Sequence, residues 1–202
     1  MNEVKKTSRG GRPSKRDFIL AQAELLVRDR GASQLTFDAL TEQTGISKGG
    51  LLYHFESKEA LIVAMLERYI GQRQQRTANV LAAKPELNDM VDGYLLAMLE
   101  AEITEPQEML AVDSAIVAAI ASNPDLLEPV RQRNVELWAG LDQAQAGATQ
   151  ARIAWKAVVG HRLLKQFGLL IESDEQTDAF IAEVTAMVTP SAKTDTENSV
   201  FG

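Results

Sequence analysis

The sequence predicts an all-α fold of about nine helices. Three observations carry that prediction. Apolar residues recur at three- and four-residue intervals along most of the 202 residues. Alternation of β-branched with polar residues never extends far enough to signal a strand. Serine, threonine, glycine and proline stand between the periodic stretches, where helix caps and stops belong.

Residues 1–12 are polar, basic and glycine-rich, which favours a flexible arm. Ser14 is placed to cap a first helix carrying Phe18, Ile19, Ala21, Ala23, Leu25, Leu26 and Val27 at helical spacing, and Gly31 to stop it. Thr36 caps a second helix, with Phe37, Ala39 and Leu40 on its apolar side, and Gly45 ends it early. Ser47 caps a third, SKGGLLYHF. Ser57 caps a fourth that runs to about Ala83 with Leu61, Met65, Leu66, Tyr69 and Ile70 as its stripe. That helix is long enough to link two parts of the molecule. Pro85 breaks the pattern. Further helices are expected at about 86–103, 106–122, 124–146, 149–171 and 174–189. Pro106, Pro124 and Pro129 punctuate them, and proline is tolerated at a helix start because the missing N–H would be unpaired anyway. Residues 190–202 form a polar tail with the composition of disorder.

Composition excludes several chemistries. There is no cysteine, so disulfides, thiolate metal sites and thiol nucleophiles are absent. The only histidines, His54 and His161, are far apart and leave no multi-histidine metal site or catalytic pair. No glycine-rich phosphate loop is present. The chain therefore reads as a non-enzyme without cofactor or metal. No apolar run approaches the roughly 18 residues of a membrane span, and the basic N-terminus lacks the apolar core of a signal peptide. These features predict a cytoplasmic protein with no membrane partner.

A formal net charge of -7 argues at first against a nucleic-acid partner. Its distribution reverses the argument. Residues 1–60 hold ten basic and eight acidic residues, while 61–202 hold eleven basic and twenty acidic. Six of the positives fall between Lys5 and Arg16. Such asymmetry marks an anion-seeking end and a body with another task.

The stretch from Thr36 to Lys58, TFDALTEQTGISKGGLLYHFESK, is the informative one. Two short helices meet at a turn containing Gly45, with Ala39, Leu40, Ile46, Leu51 and Leu52 placed to pack them together. This is the helix-turn-helix pattern, whose second helix enters the major groove of DNA. Gly49 and Gly50 are poor helix formers, and their use there makes sense where the backbone must approach another surface.

Residues 12–61, above all Tyr53-His54-Phe55 followed by Lys58, Glu59 and Leu61, resemble the DNA-binding region of the tetracycline-repressor (TetR/AcrR) family of bacterial transcriptional regulators. The segment ARIAWKAVVGHRLL is loosely similar to the penultimate helix of such proteins. The resemblance implies a flexible arm at 1–12, a three-helix DNA-binding domain at 13–56, a larger helical ligand-binding and dimerisation domain at 57–189 and a tail at 190–202. It also implies roles. Thr36 would contact a phosphate. Ser47, Lys48, Gly49 and Leu51 would lie against base edges or backbone in the groove. Tyr53 and His54 would touch phosphates, Lys58 would pair with another, and Arg12 and Lys15 would reach a neighbouring phosphate or the minor groove.

The family pattern is a homodimer whose recognition helices sit one DNA turn apart, roughly 34–36 Å, on a palindromic double-stranded operator. The last two helices would build the interface, with Gly160 and Gly168 permitting close approach and Leu164, Phe180, Val184 and Met187 supplying apolar area. The body would hold a small-molecule effector. Tyr94, Met98, Met109, Trp138 and Trp155 are its candidate lining, though their spacing equally fits plain core. Asp113 stands in the apolar run MLAVDSAIVAAIA, and with Glu136 it favours a cationic amphipathic ligand. A DNA-binding regulator without an effector, and a helical interaction protein, are the alternatives.

Overall fold

The computed structural model describes residues 14–89, 92–104, 123–144 and 147–189. Eight α-helices lie among them: α1 (Lys15–Arg30), α2 (Phe37–Thr44), α3 (Lys48–His54), α4 (Lys58–Ala83), α5 (Gly93–Ile103), α6 (Glu128–Leu141), α7 (Ala148–Gln166) and α8 (Asp174–Val188). Tight 3-10 turns cover Ala32–Gln34, Pro85–Asp89 and Pro124–Leu127. No strand occurs among the described residues. The arm at 1–12, the helix expected at about 106–122 and the tail lie outside the described residues, and with them Arg12, Met109 and Asp113. No helix among the described residues is long and apolar enough to cross a membrane.

The helix starts follow the capping chemistry of the sequence. Ser14 Oγ accepts from the Asp17 N–H at 3.1 Å, Thr36 Oγ1 from Ala39 at 3.1 Å, Ser47 Oγ from Gly50 at 3.2 Å and Ser57 Oγ from Ala60 at 3.1 Å. Each bond satisfies a donor that a helix start leaves unpaired. Gly45, at φ 70°, takes the left-handed conformation that ends α2. Beside it Thr44 Oγ1 donates to the Leu40 carbonyl at 2.6 Å and accepts from the Ile46 N–H at 3.1 Å. These bonds fix the corner between α2 and α3.

Three segments depart from the periodic expectation. The helix expected from 86 begins at Gly93, because Pro85–Asp89 forms a 3-10 turn whose Leu87 carbonyl presses on that glycine. A Cβ at Gly93 would stand 1.6 Å from the Leu87 oxygen. The helix expected from 124 opens as a 3-10 turn, with the Asn123 side chain accepting from the Asp125 N–H at 3.0 Å, and becomes α6 only at Glu128. The helix expected to reach 171 stops at Gln166. There Leu169 N–H bonds to the Leu164 carbonyl at 2.8 Å and Gly168 N–H to the Lys165 carbonyl at 3.1 Å, with Gly168 at φ 64°. That pairing is the Schellman stop.

The described chain divides into two compact units. The first holds α1, α2, α3, the turns of α4 up to Tyr69, and residues 123–130. Its core gathers Ile19, Leu20 and Leu26 from α1, Leu40 from α2, Leu51 and Phe55 around α3, and Leu61, Met65 and Leu66 from α4. Phe18, expected on the apolar stripe of α1, is exposed instead. Gln43 Nε2 donates to the Gln22 carbonyl at 3.0 Å and ties α2 to α1. Arg68 Nε of α4 lies 3.0 Å from Glu24 Oε1 of α1. Burial pushes the Glu24 carboxyl above its usual range, and the Arg68 charge opposes that shift.

The second unit holds α4 from Ile70 onward, α5, most of α6, α7 and α8. Leu95, Met98 and Leu99 of α5, Leu137 and Leu141 of α6, Ala151, Ala154 and Val158 of α7, and Val184 and Val188 of α8 form its core. At its surface Trp138 lies beneath the cations of Arg152 and Lys156, and Arg152 pairs with Asp142.

Candidate nucleic-acid interface

Seven residues of α3 divide into two faces. Leu51 is 0% exposed and packs with Phe55 into the first core, which anchors the helix. Tyr53 is 86% exposed, and Gly49 lies one turn before it on the same outward side. A phenol held almost wholly in water leaves its apolar ring unburied, so packing within the chain does not explain it. The two glycines also separate. A Cβ at Gly50 would meet Ile46 Cγ2 at 2.9 Å, so a side chain there would force Ile46 to shift. A Cβ at Gly49 would meet nothing within 4 Å, so only an external surface would feel it.

Leu51 is therefore a correction. Its side chain points into the core rather than toward a groove, because it is the apolar anchor that sets the angle of α3. The other described residues named for DNA contact remain accessible. Lys15 is exposed at the start of α1, and Thr36 is exposed while its hydroxyl caps α2. Ser47 is exposed while its hydroxyl caps α3. His54 is half-buried, its ring edge-on to Tyr53 with centroids 5.2 Å apart. Lys58 is half-buried as the first residue of α4. Lys48 is exposed and its Nζ lies 3.0 Å from Asp38 Oδ1 on α2. Sequence reasoning missed Asp38, since an acidic residue in the first turn of a helix is ordinary dipole chemistry.

The second unit contains a cavity of about 240 Å³ between α5 and α6. Tyr94, Leu95, Met98, Leu137 and Leu141 supply its apolar lining, and Asp92, Arg133 and Glu136 its charged groups. Tyr94 and Met98 thus lie where a ligand could reach them, whereas Trp138 and Trp155 pack against the second core. Arg133, absent from the sequence reading, donates from Nη2 to Tyr94 Oη at 3.1 Å and from Nη1 to Glu136 Oε2 at 3.3 Å. No sequence signal marks it, because EPVRQRNVELW is an ordinary half-polar helix.

Of the residues named for a dimer face, Leu164 is exposed and Gly160, Phe180 and Met187 are half-buried. Two are corrections. Val184 is buried in the second core, and Gly168 is the helix stop described above rather than a close-approach glycine. Phe180 also stacks on His161, with centroids 4.7 Å apart. Around Leu164 the surface is more apolar than expected: Leu163, Phe167, Leu169 and Ile171 are exposed too, Ile171 at 95%. The run LLKQFGLLI was the available signal.

Comparison with known proteins matches two stretches of the chain. A family model described as "Bacterial regulatory proteins, tetR family" matches residues 19–65. A second, "Tetracyclin repressor-like, C-terminal domain", matches residues 88–189. The chain is similar to YerO, an uncharacterized HTH-type transcriptional regulator of Bacillus subtilis strain 168, at 30% identity over 112 residues, covering 47% of this chain and 39% of that protein. It is 29% identical over 152 residues to the HTH-type transcriptional repressor NemR of Escherichia coli strain K12, covering 64% of this chain and 76% of NemR. Among solved structures it resembles a transcriptional regulator from Rhodococcus sp. Rha1, with a TM-score of 0.70, 16% identity and coverage of 87% of this chain and 96% of that one. At that identity the likeness is one of fold.

Proposed function

The chain belongs to the TetR family of bacterial regulatory proteins, and from that premise we propose that it is a homodimeric repressor released from a palindromic operator by a small, largely apolar ligand. It regulates transcription through a DNA-binding helix-turn-helix rather than by catalysis. The observation that carries the finer reading is the opposition of Leu51 and Tyr53 on α3, one side chain wholly in the core and the other almost wholly in water. A buried anchor with a solvated aromatic on the outer face fits a helix built to meet another macromolecule. Lys15, Thr36, Ser47, Lys48, Gly49, Tyr53, His54 and Lys58 are the described residues we assign to the DNA-facing surface, and Arg12 extends it through the arm.

Residues 13–56 serve as the reading head in this proposal and 57–189 as the body. Exposed Leu164, Phe167 and Ile171 support a second copy as partner, since large apolar side chains grouped in water favour burial. The cavity between α5 and α6 supports an effector. A ligand that binds one separation of the two reading heads better than another shifts the dimer toward that separation, and operator affinity with it. A gel shift on the protein's own promoter DNA tests the reading. Binding that weakens steeply as salt rises is expected, since each neutralised phosphate releases counterions. No retardation at low salt would overturn it.

A further inference from the structure

The charged groups of the cavity are not equivalent, and their pairing decides which ligand charge it suits. Glu136 is 70% exposed at its side chain, so it is largely solvated, and its carboxylate is already paired with Arg133. Asp92 is buried, directly precedes α5 and already has a partner. Neither carboxylate waits unpaired for a cation. This counters the cationic ligand that Glu136 suggested in the sequence.

Arg133 is the opposite case. Its side chain is only 24% exposed, and its two bonds go to a neutral phenol and to a carboxylate that water can take over. An exposed ion pair contributes little, so freeing Glu136 into solvent costs little. Tyr94 Oη accepts from Arg133, which leaves the phenolic hydrogen to donate. Guanidinium and phenol thus present two donors in a lining whose apolar part is Leu95, Met98, Leu137 and Leu141, beside Asp92, Glu136 and Gln143.

We propose that this cavity takes a monocarboxylate with an apolar body, its carboxylate held by Arg133 and Tyr94 and its body against Met98, Leu137 and Leu141. The proposal rests on the effector reading above and adds the charge of the effector. The guanidinium fork matches a carboxylate with two parallel charge-assisted bonds, a pairing that an alcohol or a quaternary ammonium head cannot make. The volume of about 240 Å³ suits a medium-sized acid, below the roughly 300–1,000 Å³ of drug-sized sites.

Three probes of equal chain length separate the possibilities: octanoate, 1-octanol and octyltrimethylammonium, each titrated against the full chain by thermal shift and by tryptophan fluorescence. Octanoate is expected to bind at least about tenfold more tightly than octanol, the scale of a charge-assisted bond pair. Arg133→Met is expected to abolish that preference while keeping octanol binding, which shows that the cavity still folds. Tyr94→Phe is expected to weaken octanoate by a few fold. Preference for the cation, equal binding of octanoate by wild type and Arg133→Met, or no binding of any probe each overturns the proposal. Release of operator DNA by the cation or the alcohol at concentrations where octanoate leaves the complex intact would leave the effector reading standing while this one falls.

Discussion

Lys48 Nζ lies 3.0 Å from Asp38 Oδ1, joining the first turn of α2 to the first residue of α3 across the helix-turn-helix corner. Both side chains are mostly exposed, so the pair adds little to folding. Its consequence lies in competition. A DNA phosphate must take Lys48 from Asp38, and Asp38 then stands near like charge. Lys48→Ala is expected to weaken operator binding and to lower the slope of log affinity against log salt by about one. Asp38→Asn is expected to tighten binding by a few fold with an unchanged melting temperature. Looser binding by Asp38→Asn would mean that Asp38 orients Lys48 rather than competes for it. Fluorescence anisotropy over a salt series measures all of this.

Tyr53 and Leu51 should fail in opposite ways. Tyr53→Ala is expected to cost about tenfold in operator affinity, the scale of a hydrogen bond to a charged group, and almost nothing in stability. Leu51→Ala should destabilise by about 2–5 kcal/mol, because a fully buried leucine leaves a cavity. Denaturant unfolding beside a gel shift distinguishes the two. A Tyr53→Ala protein that melts early but binds normally would contradict the assignment of faces.

The apolar surface after α7 makes a sharper demand. Phe167→Glu is expected to give a monomer on size-exclusion chromatography with unchanged helical circular dichroism. Operator affinity should fall on the order of a hundredfold, since one reading head at a time loses the gain of linked binding. A Phe167→Glu protein that stays dimeric would place the interface elsewhere.

Glu24 adds a pH dependence to stability. Its carboxyl is pushed above its ordinary range by burial, so the folded chain holds that proton more tightly than the unfolded one. Stability from this group is full below the unfolded value and is lost as pH rises through the folded one. Glu24→Gln is expected to remove that slope, read as the difference in unfolding free energy between the two proteins from pH 4 to pH 7. A wild-type-minus-variant difference that rises with pH would reverse the assignment and make the Arg68 attraction dominant.

The helix starts and stops of the first unit were legible in the sequence because they are local. Ser14, Thr36, Ser47 and Ser57 each bond an amide three residues on, and Gly45 answers only to its own φ. The motif from Thr36 to Lys58 and the family followed from the same short-range pattern. What the tertiary structure decided was direction. Leu51 and Tyr53 are two residues apart; spacing offered Leu51 to the packing of α2 on α3, while the family resemblance implied a place against DNA. Burial in the shared first core, with Leu40 and Phe55 among its members, settled it inward. Val184 went to the core by the same cause, and Gly168 proved a stop because its neighbours' amides reach back to Leu164 and Lys165. The cavity was less legible still. Tyr94 and Arg133 are 39 positions apart, and their meeting depends on how α5 lies against α6. A chain can state which bonds its near neighbours make, but which side chains share a space is set by burial of the whole apolar surface at once.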